Sequence, residues 1–138
     1  MFVHNCAVTA EDLDAITGHF SAPLYWALCP RSNNYISGIE PRSVESLRSA
    51  GGNINICIGT DSLASNRSLS MVEELKMFRN IPLAELLQWA TINGAKALGI
   101  DDKYGSLEVG KRSGVVNLTG VDLKSFTLTP DTKAKRIL

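Results

Sequence analysis

Three apolar segments, each followed by a polar stretch and then by helix-patterned residues, set the tightest limit on what this chain can fold into. Phe2 to Cys6 is short and interrupted by the polar pair His4 and Asn5. Leu24 to Cys29 is a continuous apolar run of the kind seen in a strand buried on both faces, and Ile54, Ile56 and Ile58 form a β-branched strand that runs into Gly59-Thr60-Asp61. Strand-loop-helix units in series imply right-handed crossovers and a parallel sheet, with all strand C-termini opening on the same side. The fold class is therefore α/β.

The connecting segments carry their own signals. Thr9 with Asp12 forms a helix N-cap, ahead of Leu13, Ile16 and Phe20 on one face. Cys29 to Asn34 reads as a turn-rich loop, and a helix after Pro41 carries Val44 and Leu47 before Gly51-Gly52 stops it. Ser70 with Glu73 predicts a capping box for a helix with Met71, Val72, Leu75 and Phe78 as its buried stripe, and Pro82 starts another with Leu83, Leu86, Leu87 and Ala90. A short segment from Ala95 to Leu98 ends at Gly99. From Gly105 the texture changes to short strands, Ser106-Leu107, Val115 to Leu118 and Ser125 to Leu128, which suggests a small antiparallel unit. Gly94, Gly99, Gly105 and Gly110 read as turn and cap positions, and Trp26 and Trp89 as core. The expected division is a unit over 1–104 and a β-rich one over 105–138.

With 138 residues, the chain is too short for a closed barrel of eight strands and eight helices, which takes about 250. Any barrel reading ends in a partial barrel. Lys plus Arg balance Asp plus Glu at 14 each, so no summed field favours nucleic acid or an anionic membrane, and the expected partner is a small-molecule substrate or another protein. No apolar run reaches the roughly 18 residues of a membrane span, and the opening residues lack a secretory leader, so a cytoplasmic location is expected. Cys6, Cys29 and Cys57 suit reduced, buried thiols on strands better than a disulfide framework.

His4 and Asp61 both fall at the C-terminal ends of predicted strands, where ligands of parallel α/β sheets sit. An imidazole and a carboxylate there are the parts needed to hold a divalent ion and move a proton. The bland alternatives are a structural histidine and an aspartate that braces its own loop. Two residues also fall short of the three protein ligands of a catalytic zinc site.

Five blocks in series resemble the amidohydrolase superfamily: Val3-His4-Asn5, Cys29-Pro30-Arg31-Ser32-Asn33, Ile58-Gly59-Thr60-Asp61-Ser62 with Ala64-Ser65-Asn66, Ala90 to Gly99, and Gly105 to Lys111. The resemblance runs along essentially the whole chain. It is similar to the branch holding S-adenosylhomocysteine, guanine and aminodeoxyfutalosine deaminases and the triazine chlorohydrolases. It implies a partial TIM (β/α) barrel, strands six to eight with their helices, followed by part of an appended β-sandwich.

The implied activity is hydrolysis of non-peptide carbon-nitrogen bonds, a deaminase of a purine-like ring, by water activated on a divalent metal, zinc by family analogy. His4 would end strand six as a catalytic residue that orients substrate and water. Asp61 would end strand eight as metal ligand and proton acceptor. Ser32 and Asn33, then Ser65 and Asn66, match loops that contact the substrate edge or the groups holding the site; singly, each also reads as an ordinary turn residue. The family's His-x-His pair, strand-five histidine and nearby acid have no counterpart in these residues. Asn34, and Ser113-Gly114 in place of Ala-Asp, also depart from the pattern. The isolated chain is thus expected to be inactive, the alternative being a structural module that forms a homo-oligomer through open sheet edges.

Overall fold

The structure is a computed structural model that describes residues 1–38, 43–50 and 53–138. Its first part is a three-stranded parallel sheet with helices: β1 Phe2–Val3, α1 Ala10–His19, β2 Leu24–Leu28, α2 Pro30–Ser37, α3 Ser43–Ser49, β3 Ile54–Ile58, α4 Met71–Leu75, α5 Leu83–Ala90 and α6 Ile92–Ala97. The strand order is β1-β2-β3, in the register Phe2 to Trp26 to Ile56. Mixed α/β with parallel pairing is what the strand-loop-helix order predicts.

Register fixes which side chains share a face, because alternate residues of a strand point the same way. Leu24, Trp26 and Leu28 are buried whereas Tyr25 and Ala27 are only half covered, so β2 is not enclosed on both faces as its unbroken apolar run predicts. The buried row stacks Trp26 on Phe2, with ring centroids 4.8 Å apart. Leu13 of α1, Val44 and Leu47 of α3, Leu86 and Trp89 of α5 close the core over this face.

Local chemistry explains the element ends. The Thr9 hydroxyl accepts from the Asp12 N–H while the Asp12 carboxylate accepts from the Thr9 N–H, which is the expected capping box. Ser70 occupies the N-cap of α4 without a side-chain bond, and Glu73 pairs instead with Lys76 at 2.6 Å, so the second expected box is absent. The stretch after Cys29 is helix α2 rather than a loop. Pro30 sits at its first turn, where a missing N–H costs nothing, and Gly38 closes it in the left-handed region. Val44 and Leu47 are buried as expected, while the Pro41 start and the Gly51-Gly52 stop lie outside the described residues.

Gly94 falls inside α6 rather than at a turn, while Gly99, Gly105 and Gly110 do take positive φ. The C-terminal residues form one antiparallel pair, β4 Val116–Asp122 with β5 Thr127–Arg136; Ser106-Leu107 is not a strand. Lys76, at the end of α4, donates to the Pro130 carbonyl of β5 at 2.8 Å. Cys29 and Cys57 are buried free thiols, but Cys6 lies in a turn after β1 and is half exposed. Among the described residues, no helix is long and apolar enough to cross a membrane.

Candidate active site

Three strand tips meet at one place. β1 stops at Val3 because His4 and Asn5 adopt left-handed backbone (φ 65° and 50°), although the His4 N–H still donates to the Ala27 carbonyl at 2.9 Å. That ladder bond fixes the His4 backbone beside β2. Asp61 also has a left-handed backbone (φ 56°), two residues beyond Gly59, whose N–H donates to the Leu28 carbonyl. Non-glycine residues at positive φ are uncommon and need surroundings that hold them.

The turns bring the two side chains face to face, with His4 Nε2 and Asp61 Oδ2 3.9 Å apart. That gap is too long for a hydrogen bond. It is also wider than the ~3.3 Å expected between two ligands of one tetrahedral ion with bonds of 2.0–2.1 Å. It does leave a small atom within hydrogen-bond reach of both. On the far side of the ring, His4 Nδ1 lies 2.7 Å from Asn33 Oδ1. With an oxygen there, Nδ1 carries the proton and donates it to Asn33, which turns Nε2 toward Asp61.

Asp61 is held as an anion. Its Oδ2 accepts from Ser32 Oγ at 2.6 Å and from Ser65 Oγ at 2.9 Å, and the two hydroxyls are themselves 2.8 Å apart. The Ser32 hydroxyl, then that of Ser65, then the Ser62 N–H and the His4 charge hold the Asp61 carboxyl below the usual aspartate range. A proton on Asp61 would weaken these bonds by removing their charge assistance.

Of the residues singled out from sequence, His4, Ser32, Asn33, Asp61 and Ser65 are thus brought together around one carboxylate and one imidazole. Asn66 does not join them directly. Buried, it donates to the Thr60 carbonyl at 2.7 Å and to Glu74 at 2.6 Å. Glu74 is a residue that sequence reasoning missed. Its signal was its place three residues after Met71 and four before Phe78, an acid on an apolar stripe. Beside the group, a cleft of about 520 Å³ is lined by Arg31, Tyr35, Leu63, Ser65 and Arg67 among others. A larger one of about 790 Å³ lies between α3, β3 and α5, and His4 and Asp61 line neither cleft, so cleft size does not mark the chemistry here.

The donor set fits one ligand of a divalent ion rather than a whole site. Asp61 is anionic and its side chain is 30% exposed, whereas no cluster of three His, Cys, Asp or Glu occurs among the described residues.

Comparison with known proteins places this group in context. The sequence profile of the Amidohydrolase family matches residues 1–130. The chain is 34% identical to 5-methylthioadenosine/S-adenosylhomocysteine deaminase of Teredinibacter turnerae, over 93% of this chain and 29% of that protein. It is 37% identical to adenosine deaminase of Helicobacter pylori, over 82% of this chain and 28% of the relative. Among solved structures, an adenosine deaminase from Xanthomonas campestris with bound zinc superimposes with a TM-score of 0.67 and 29% identity, covering 89% of this chain and 29% of that one. The guanine deaminase of E. coli superimposes with a TM-score of 0.63 and 25% identity, over 80% and 26%. The chain therefore spans under a third of the length of these relatives. With the profile match running through all three strand tips and the helices between them, this chain belongs to the amidohydrolase family.

Proposed function

We propose that this chain is the C-terminal part of a metal-dependent hydrolytic deaminase acting on an aminated purine-like ring, and that Asp61 and His4 are its contribution to catalysis. The observation that carries the reading is the placement of an anionic carboxylate and an imidazole 3.9 Å apart at the strand tips. The three strands correspond to strands six to eight of a barrel, with residues 105–138 as part of an appended β unit.

Asp61 would hold a divalent ion, zinc by analogy with the zinc-bound relative, as one ligand of several. When bound, such an ion lowers the pKa of water to about 7. Asp61 accepts the proton of the attacking water and returns it to the leaving nitrogen, so that ammonia departs. His4, aligned by Asn33, presents Nε2 to the reacting oxygen and stabilises charge there. Ser32 and Ser65 act mainly by keeping Asp61 ionised and aimed, since both are buried and bonded to it.

The remaining metal ligands belong to polypeptide outside these 138 residues, so the isolated chain is inactive. The test is ammonia release from S-adenosylhomocysteine, adenosine and guanine by the purified chain with added zinc. No turnover is expected. Turnover by the chain alone would overturn the division of the site.

A second reading rests on the sheet edges. Among the described residues β1 and β3 each pair only with β2, and open parallel edges favour association, so the isolated chain forms a homo-oligomer. Sedimentation across a concentration series tests it, and a monomer at all concentrations would contradict it.

A further inference from the structure

Glu74 lies on α4 with no exposed surface, and the chemistry proposed above does not use it. A buried carboxylate is costly unless its oxygens are filled. Both are: Oε2 accepts from the Arg31 N–H at 3.0 Å and Oε1 from Asn66 Nδ2 at 2.6 Å. These donors belong to different parts of the site. Arg31 immediately precedes Ser32 in the first turn of α2. Asn66 also donates to the Thr60 carbonyl, at 2.7 Å, in the residue just before Asp61. The Arg31 guanidinium adds a third tie by donating to Ser68 Oγ at 2.8 Å.

We infer that Glu74 is a positioning residue, whose two carboxylate oxygens clamp the first turn of α2 to the tip of β3 and so hold Ser32 against Asp61. The left-handed backbone of Asp61 needs such a restraint, because nothing in its own φ preference keeps it there. Burial pushes the Glu74 carboxyl up, while the Arg31 N–H and the Asn66 amide pull it back toward the anion that two donors require. Glutamine cannot substitute: its single oxygen satisfies one donor and its NH₂ group opposes the other. As a statement about catalysis the inference rests on the reading of Asp61 given above; as a statement about geometry it does not.

The experiment compares amide hydrogen exchange in the labelled 138-residue chain with that in the Glu74→Gln and Leu75→Ala variants, at one pH near 7. Glu74→Gln keeps the side-chain volume, so loss of the clamp should speed exchange about tenfold or more at the Arg31 N–H, which loses its acceptor, and at the Ser62 N–H beside the Asp61 carboxylate. Leu75→Ala, at a buried neighbour on the same helix, should leave the ratio of protection at these two sites to that of the β2–β3 ladder unchanged. Unchanged exchange at the Ser62 N–H in a folded Glu74→Gln chain would overturn the inference, as would the same selective loosening in Leu75→Ala or a Glu74→Gln chain that fails to fold, which would assign Glu74 to the fold. The exchange is readable whether or not Asp61 proves catalytic, so the two readings fail separately.

Discussion

Ser32 donates its hydroxyl proton to Asp61 across 2.6 Å, tying the first turn of α2 to the tip of β3. The consequence is testable through pH. The folded-state pKa of Asp61 is depressed, first by this hydroxyl, so its contribution to stability is present above the ordinary aspartate value and is lost as pH falls through the folded one. Ser32→Ala should therefore destabilise the chain more near pH 7 than near pH 3, measured by urea unfolding at both. An equal loss at the two values would show that the Ser32 contact is not charge-assisted.

Glu74 has the opposite sign. Its carboxyl is raised by burial, so the folded state binds its proton more tightly than the unfolded chain does, and stability falls as pH rises from the ordinary glutamate value of 4.5 through the folded one. Glu74→Gln should flatten that decline in a pH series of unfolding midpoints. A decline of unchanged slope would place the titrating group elsewhere.

Thiol reactivity follows burial. Cys29 is pushed up to about 11 by burial and then by the charges of Asp61 and Glu74, and Cys57 to about 11 by burial. A thiol reagent near pH 8 should label Cys6 first and the other two only on unfolding, because the thiolate is the reactive form. Peptide mapping after a short pulse checks this; early labelling of Cys29 would contradict the packing of β2 against β3.

In the core, Trp26 is fully buried and its indole N–H has no partner among the described residues. Trp26→Ala should cost about 3–5 kcal/mol through the cavity it leaves. Trp26→Phe should cost clearly less, since it also removes an unpaired donor. Equal costs in denaturant unfolding would contradict the placement of Trp26 in the packed core.

Two glycines separate backbone strain from crowding. Gly99 has φ 67° and open space where a methyl group would go, whereas at Gly105, φ 93°, an added methyl would meet Ala95 Cβ at 2.7 Å and Ile92 Cα at 2.9 Å. Gly99→Ala should cost about 1–2 kcal/mol, the left-handed penalty alone, and Gly105→Ala more. A reversed order in thermal unfolding would refute the packing of that turn on α6.

Much of this architecture is legible in the residues. The period of the apolar positions gives the parallel strands, and Thr9 with Asp12 fixes a helix start, because these signals are local. The same holds for His4 and Asp61, which stand at strand ends by counting alone. What sequence hides is partnership at a distance. Pro30 begins a helix where Ser, Asn and Asn suggest a turn, since the first helical turn and a turn share the same residues. Glu74 falls on the apolar stripe between Met71 and Phe78, but only the fold reveals its partners, Arg31 and Asn66. Ser70 and Glu73 match a capping box, yet Lys76 takes the carboxylate.

The most direct test of the central claim joins residues 1–138 to the N-terminal portion of the Teredinibacter turnerae deaminase, in place of its matching segment, and measures ammonia release from S-adenosylhomocysteine with and without Asp61→Asn. The predicted result is turnover in the unsubstituted chimera and a fall of about 10²- to 10⁴-fold in the variant, the range for loss of a positioned proton acceptor. Turnover of the Asp61→Asn chimera within a factor of about three of the unsubstituted one would contradict the role assigned to Asp61.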